Sequence, residues 1–438
     1  MYDDNKNFML FLFRDNYKSI SELSAKELRL GGLRIDPKTN IGSRVTYYNN
    51  VKIRNLKNHK SEFTQVEGLP KNPKLSNISW SPNQKRIALT NTTETGVELW
   101  VLELENGSVT KLTEPNLNSN IGSVINWFAD SENMLVKMIS NNRKSLIDTN
   151  QIVPDGPTIS TNFGEKAQNR TYQDLLKNKF DEHNFEQLST SAIYKVSIDG
   201  SVKKWMDDGM YRTISFSPNG EYVMISQINK PFSYLVTYSR FPTETNVYSK
   251  DGNFISNLLN VPLIEELPKG FMSVRTGKRS FSWRPDKGAS LTYVTALDSG
   301  DPSKKVDFRD EVYELNYPFL GQGKFILKTI NRFSGIDWGT KDMAIAYDTW
   351  WNTRNRKSYV FNPSNPNIKP KIISDRNYQD TYSDPGVFLR SRNEFNRSVL
   401  KMHYGNVFLR GQGFSPNGQF PFIDKVNTKT FEKTRVYK

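Results

Sequence analysis

The amino-acid sequence predicts an all-β fold, a β-propeller, because one short pattern recurs along the chain. An apolar residue is followed by Ser or Asn, an aromatic residue, a short turn and an apolar strand. The pattern occurs as Ile78-Ser-Trp-Ser-Pro-Asn83, Ile214-Ser-Phe-Ser-Pro-Asn-Gly220 and Phe281-Ser-Trp-Arg-Pro-Asp286, with weaker copies at 125–130 and 336–339. Each copy is a strand, a turn and a second strand, and such units bury their faces by stacking on neighbours.

A second observation is the turn that joins the outer strands of three copies. It is Asn106-Gly107, Asp199-Gly200 and Asp251-Gly252, each between alternating apolar and polar residues. These dipeptides supply the positive φ angles that a tight hairpin requires. The shared turn therefore predicts a common four-stranded antiparallel unit.

The spacing of the recurring aromatic residue sets the number of units. This residue is Trp80, Trp127, Phe216, Trp283 and Trp338, and its recurrence indicates a place in the core. We expect one domain over 1–438 with seven four-stranded blades, and six or eight blades are the alternatives. The predicted boundaries are an incomplete first blade at 1–70 and then blades near 71–115, 116–208, 209–268, 269–333, 334–380 and 381–438.

Two segments interrupt the strand pattern and predict small helical insertions. Residues 16–50 are polar and helix-prone around Ile20–Leu28. Residues 155–187 form the second interruption, where apolar spacing predicts a short helix over Thr171–Phe180 with Thr171 as its N-cap.

Composition excludes several classes of chemistry. The chain has no cysteine, and its three histidines, His59, His183 and His403, lack metal-ligand spacing, so we expect neither a metal nor a cofactor. The formal net charge is +14. The sequence nevertheless contains no run of five or more like charges, which argues against a nucleic-acid-binding arm. Basic residues concentrate at 275–279 and 354–357.

The N-terminal segment does not have the pattern of a signal peptide. It opens with acidic residues, and the apolar stretch Phe8–Phe13 is shorter than a signal core. No segment approaches transmembrane length, so we expect no membrane span.

Further segments together resemble one family, the glutamyl endopeptidases, a branch of the prolyl oligopeptidase family of serine peptidases. The similarity covers nearly the whole chain. The segments are Leu28-Arg-Leu-Gly-Gly-Leu-Arg-Ile-Asp-Pro37, Pro154-Asp-Gly-Pro157, Arg170–Lys177, Lys230-Pro-Phe-Ser-Tyr234, Arg240-Phe-Pro242, Ser273–Ser280, Tyr347-Asp-Thr-Trp350 and Tyr382-Ser-Asp-Pro-Gly386.

The resemblance implies a propeller that restricts peptide entry to a following α/β-hydrolase domain. Here the nearest approach to Gly-x-Ser-x-Gly is Gly413-Phe-Ser-Pro-Asn417, which lacks the second glycine. We therefore expect that the hydrolase domain is absent from this chain and that the chain has no catalytic residues. The implied partners are peptide substrates and a hydrolase domain in cis. The implied compartment is periplasmic or secreted.

Recognition of acidic substrates requires cations, and Arg offers a bidentate fork for carboxylates. The candidates are Arg240, Arg275, Arg279 and Arg354, which lie in or near the family-like segments. The alternative is that each arginine braces a blade by bonding loop carbonyls. Tyr382 and Asp384 are candidates for the face toward the hydrolase domain, with a plain turn as the alternative.

Two functions remain open on the sequence alone. The first is a non-catalytic, substrate-gating propeller of a serine endopeptidase that cleaves after acidic residues, as the resemblance implies. The second is a stand-alone binding or scaffold propeller without catalytic activity. A partly apolar face on which a hydrolase domain could dock would favour the gating function, and two solvated faces would favour the scaffold function.

Overall fold

A computed structural model of the chain describes residues 1–3, 7–57, 62–148 and 171–438. The chain is an all-β propeller with few helices, and it divides into two compact units. The first unit comprises Met1–Phe216 and Tyr222–Glu265, and the second comprises Ser217–Glu221 and Glu266–Lys438.

The first unit begins with two small antiparallel sheets. Strands β1, β5 and β6 form one, and β2, β3 and β4 form the other. Leu10, Val51 and Ile53 are buried on the inner face of the first sheet. Helix α1 (Ile20–Leu23) is capped by Ser19, whose hydroxyl accepts from the Glu22 amide. The strands are β1 (Phe8–Phe13), β2 (Leu28–Leu30), β3 (Leu33–Asp36), β4 (Ile41–Gly42), β5 (Asn50–Asn55) and β6 (Thr64–Gln65).

The next sheet shows why the recurring Ser-Pro-Asn sequence makes a turn. Its strands are β7 (Leu75–Trp80), β8 (Arg86–Thr92), β9 (Val97–Glu103) and β10 (Val109–Lys111). The fully buried Ser81 hydroxyl donates to Asn83 Oδ1 at 2.8 Å and accepts the Arg86 amide at 3.0 Å. The turn therefore satisfies its own polar groups while it reverses the chain.

The third sheet contains seven strands and includes most of the remaining first unit. It runs in chain order without a crossover. Its strands are β11 (Ile125–Trp127), β12 (Asn133–Ile139), β13 (Ser191–Ser197), β14 (Val202–Phe216), β15 (Tyr222–Ile228), β16 (Thr243–Ser249) and β17 (Phe254–Val261).

The second unit has two four-stranded sheets, β18–β21 and β22–β25, and a five-stranded sheet of β26, β29, β30, β33 and β34. Ile345, Leu409 and Val426 share one core at the last two sheets. The strands are β18 (Arg279–Trp283), β19 (Ser290–Ala296), β20 (Asp310–Asn316), β21 (Lys324–Thr329), β22 (Arg332–Thr340), β23 (Met343–Trp350), β24 (Asn355–Phe361), β25 (Lys371–Asn377), β26 (Val387–Phe388), β27 (Arg390–Arg392), β28 (Ser398–Leu400), β29 (Met402–His403), β30 (Asn406–Gly411), β31 (Phe414–Ser415), β32 (Gly418–Gln419), β33 (Phe422–Asn427) and β34 (Lys433–Tyr437).

The prediction of seven four-stranded blades is wrong. Across the described ranges the structure has six propeller sheets, with three, four, seven, four, four and five strands. The reason is β14, which runs for 15 residues and pairs with β13 through its first part and with β15 through its second. Strand β14 therefore joins two strand groups, β11–β14 and β14–β17, into one seven-stranded sheet.

The second helix is also shifted from its predicted place. Helix α2 covers Lys179–Ser189, whereas 171–178 is not helical. Asn178 is the N-cap, and its side chain accepts the Asp181 amide at 2.9 Å. Asn is a stronger cap than Thr, and Asp181 and Glu182 in the first turn favour this start. Residues Pro154–Pro157 and Arg170 lie outside the described residues.

The recurring aromatic residues do pack inward, to different degrees. Trp127, Phe216 and Trp338 are buried, and Trp80 and Trp283 are half-buried. Trp283 contacts the buried Phe319 ring edge-on, at a centroid distance of 5.5 Å.

Candidate functional site

The four candidate arginines lie in different surroundings. Arg240 belongs to the first unit, where it ends a 3-10 helix over Tyr238–Arg240 and is half-buried. Its guanidinium lies 5.3 Å from the centroid of the Tyr172 ring, a cation–π distance. The other three arginines belong to the second unit.

Arg279 is part of a buried ion-pair cluster in the second unit. Its Nη2 lies 2.5 Å from Asp310 Oδ2, and Asp310 also binds Arg332 Nη1 at 3.1 Å. Arg332 Nη2 and Arg309 Nη1 both reach Asp298, at 2.7 and 2.8 Å. Both carboxylates are fully buried, so these arginines supply the partners that buried charges need.

Arg275 and Arg354 both bond carbonyls of their own loops. Arg275 donates to the carbonyls of Thr276, at 3.0 Å, and Lys278. Burial, and then the nearby charge of Arg279, lower the pKa of Arg275. Arg354 stacks 3.9 Å over the Trp351 ring and donates to the Trp351 carbonyl at 2.7 Å. These are the contacts of the bracing alternative, and the substrate-binding role of the four arginines stays a prediction.

A cavity of about 1220 Å³ lies in the second unit, and we call it the basic cavity. It is bordered by the β22–β25 sheet on one side and by strands of the last sheet on the other. Aliphatic and aromatic side chains, such as Ile372, Val387 and Phe431, share its lining with charged ones. Among the described residues its charged lining comprises six cations and two carboxylates: Arg356, Lys371, Arg376, Arg390, Arg410, Lys433, Asp337 and Asp384.

Both carboxylates of the basic cavity are already paired. Asp337 forms an ion pair with Arg390 and accepts the Tyr347 hydroxyl at 2.9 Å. Burial, followed by the Asp337 charge, raises the pKa of Tyr347, so its hydroxyl stays a donor. Asp384 pairs with Arg376 at 3.1 Å. Arg390 and Arg376 are thus neutralised.

The other four cations form no ion pair with any carboxylate in the part of the chain that the structure describes. Arg356 lies 4.6 Å over the Tyr347 ring, and Lys371 lies 4.3 Å over the Phe431 ring. Arg410 and Lys433 are exposed. An anion in the basic cavity would therefore meet four cations that are free of carboxylates.

The 382–386 segment forms part of the cavity wall. Asp384, Pro385 and Gly386 line the basic cavity, whereas Tyr382 is 64% exposed. Arg376 holds this segment by donating to the Asp380 carbonyl at 2.6 Å. The Asp384 carboxylate accepts the Gly386 amide at 3.0 Å, as the turn alternative expects. Whether Tyr382 and Asp384 face a hydrolase domain stays a prediction.

Sequence reasoning missed all six cations of the basic cavity: Arg356, Lys371, Arg376, Arg390, Arg410 and Lys433. Only Arg356 left a signal, since 354–357 is a basic stretch and strand alternation separates Arg356 from Lys357. Arg410 reaches the basic cavity because β30 pairs with β26 at Val387. That register is a tertiary feature with no sequence pattern.

The described residues offer few other groups from which a functional site could be built. No group of three or more His, Asp or Glu residues there is placed to hold a metal ion. His183 bonds the Ser145 carbonyl, His403 packs against Tyr404, and His59 lies outside the described residues. No helix in the described part is both long enough and apolar enough to cross a membrane.

Sequence comparison identifies two curated plant relatives that match the whole chain. No family model matches it. The chain is 33% identical to a probable chloroplastic glutamyl endopeptidase of Oryza sativa subsp. japonica and 31% identical to one of Arabidopsis thaliana. The alignments cover 100% of this chain and 48% and 47% of the relatives. The chain therefore spans about half the length of the curated relatives it matches.

Solved structures give more distant similarities. A prolyl endopeptidase structure matches with a TM-score of 0.46 and 12% identity, over 94% of this chain and 49% of that chain. An oligogalacturonate lyase from Vibrio parahaemolyticus matches with a TM-score of 0.41 and 12% identity, over 82% and 76%. These values are too low to carry an activity to this chain.

Proposed function

The chain belongs to the glutamyl endopeptidase branch of the prolyl oligopeptidase family of serine peptidases, and from that membership we propose that it acts as a substrate-gating part of such a peptidase. In this proposal the chain performs no bond cleavage. It restricts which peptides reach an active site in a hydrolase domain, and that domain cleaves after acidic residues.

The observation that carries the proposal is the match of the entire chain to about half of each relative. A serine nucleophile of the α/β-hydrolase type requires a strand-to-helix elbow above a sheet flanked by helices. The described residues instead form antiparallel sheets, with α-helices of four and 11 residues. The matched half therefore supports a binding and gating role.

The sheets and the basic cavity supply the physical basis for gating. Stacked antiparallel sheets hold their loops rigidly, so a passage bounded by them excludes substrates by size. Cations that lack a carboxylate partner attract acidic side chains and align them through charge-assisted hydrogen bonds. Arg356 and Arg410 have the exposure that such contacts require.

The test is a chimaera in which this chain replaces the matching half of the rice relative. We expect the chimaera to cleave short Glu-containing peptides and to leave folded proteins intact. The remaining half of the rice relative, produced alone, is the control and should lose that discrimination. Equal cleavage of folded proteins by both proteins would contradict the gating role.

The cellular compartment of the chain is also part of this proposal. The two relatives are named chloroplastic, whereas the sequence expectation is a periplasmic or secreted protein. Fractionation of the native cell with an antibody against this chain distinguishes export from retention.

A further inference from the structure

The basic cavity has more positive charge than its own carboxylates neutralise. Among the described residues its lining has six cations and two carboxylates; Asp384 is bonded to Arg376 and Asp337 to Arg390. Four cations remain around one concavity of the second unit. Like charges that converge on a shared space repel each other, and bound anions remove that repulsion.

The pairing of β24 with β25 shows that the charge is segregated by face. Arg356 lies directly opposite Arg376 in the register, and like charges in that position are unfavourable. The next pair is Lys357 and Asp375, at 2.5 Å, on the other face of the same sheet. The sheet thus pairs Lys357 with Asp375 on its far face. On the cavity face Arg376 takes its carboxylate from Asp384, outside the sheet, and Arg356 is left without one among the described residues.

The shape and apolar lining decide which anion fits. A volume of about 1220 Å³ exceeds the roughly 300–1,000 Å³ of typical small-molecule pockets, so a single small anion would leave most of it empty. Ile336 and Val387 also line the cavity and offer apolar contacts. A peptide that alternates carboxylate and aliphatic side chains matches both features.

We propose that the basic cavity binds an acidic peptide segment, with Arg356, Lys371, Arg410 and Lys433 as its carboxylate partners. Arg390 and Arg376 are positioning residues, since they fix Asp337 and the 380–386 loop. The inference concerns binding by this chain alone and does not depend on hydrolysis. If the chimaera experiment failed, this binding proposal would still hold. If the binding experiment failed, the family membership would still hold.

The experiment measures fluorescence anisotropy with a labelled Glu-Leu-Glu-Leu-Glu peptide and its Gln-Leu-Gln-Leu-Gln counterpart at low salt. We expect the Glu peptide to bind at least about tenfold more tightly than the Gln peptide. The double variant Arg410→Gln/Lys433→Gln should weaken Glu-peptide binding by about tenfold or more, and Arg356→Gln should weaken it further. Added salt should reduce the affinity.

Lys341→Gln is the matched control, because Lys341 is an exposed cation of the same unit that does not line the basic cavity. It should leave binding unchanged, and all variants should keep the melting temperature of the parent. Equal affinity for both peptides, or equal loss in Lys341→Gln, would overturn the proposal. Displacement of the peptide by equimolar inorganic phosphate, or tighter binding of a single-stranded oligonucleotide, would overturn it as well.

Discussion

At the scale of single residues, Gly386 fixes the wall of the basic cavity. Its φ is +86°, and a Cβ there would lie 2.4 Å from the Arg410 carbonyl oxygen. We expect Gly386→Ala to lower the free energy of unfolding by about 3 kcal/mol, since strain and steric overlap add. Denaturant unfolding measures the loss.

Gly405→Ala is the matched control for that substitution. Gly405 has a φ of +71°, but a Cβ there would meet nothing within 4 Å. We expect a loss of about 1 kcal/mol, from backbone strain alone. Equal losses in the two variants would show that the approach of Gly386 to Arg410 has no energetic role.

Lys137 predicts a pH dependence of stability. It is 3% exposed in β12, donates to the Ile121 carbonyl, and burial lowers its pKa to about 7 from 10.5. Between these values the unfolded chain binds more protons than the folded chain, so stability rises with pH. The cost of the buried charge is fully present below about pH 7, and the slope above it approaches about 1.4 kcal/mol per pH unit.

The variant Lys137→Met tests this assignment. Its free energy of unfolding should exceed that of the parent most at about pH 6, and the difference should shrink toward about pH 9. The lost hydrogen bond to Ile121 adds a constant offset that does not change with pH. A parent-to-variant difference that is the same at both pH values would contradict a buried, titrating lysine.

At the scale of elements, Arg284 links neighbouring sheets of the second unit. It is 1% exposed, binds Asp286 at 2.7 Å and Glu314 at 3.0 Å, and lies 3.9 Å over the Trp338 ring. Arg284→Met leaves two buried carboxylates short of a partner, so we expect a loss of about 3–5 kcal/mol. Thermal or denaturant unfolding provides the measurement.

A double-mutant cycle separates the charge effect from packing. Glu314→Gln in the Arg284→Met background removes one orphaned charge and should recover part of the loss. Additive losses would mean that Arg284 acts through Trp338 and not through its carboxylates.

Sequence patterns predicted the strands, the Ser-Pro-Asn turns and the inward-facing aromatic residues, because these depend on local periodicity and turn chemistry. They did not predict β14 as one strand, since Asp207-Asp208-Gly209 has the composition of a break. In the structure Gly209 lies so close to Tyr211 that a Cβ would be 2.9 Å from its ring. Arg410 and Lys433 meet at the cavity only through strand register, which local patterns do not encode.

At the scale of the whole molecule, the chain should have no peptidase activity of its own. The sequence has no Gly-x-Ser-x-Gly, and the described residues form no helix-flanked sheet that would present a nucleophile. We expect no hydrolysis of Glu-containing peptides above the buffer rate. Hydrolysis that a serine-directed inhibitor abolishes would contradict this.

The most direct measurement is to read the gene beyond the codon for Lys438. The gating role predicts an in-frame Gly-x-Ser-x-Gly followed by Asp and then His, the chain order of an α/β-hydrolase triad. That result would join the gating half to its catalytic half. A stop codon with no such partner encoded nearby would contradict the peptidase role and leave a binding propeller in its place.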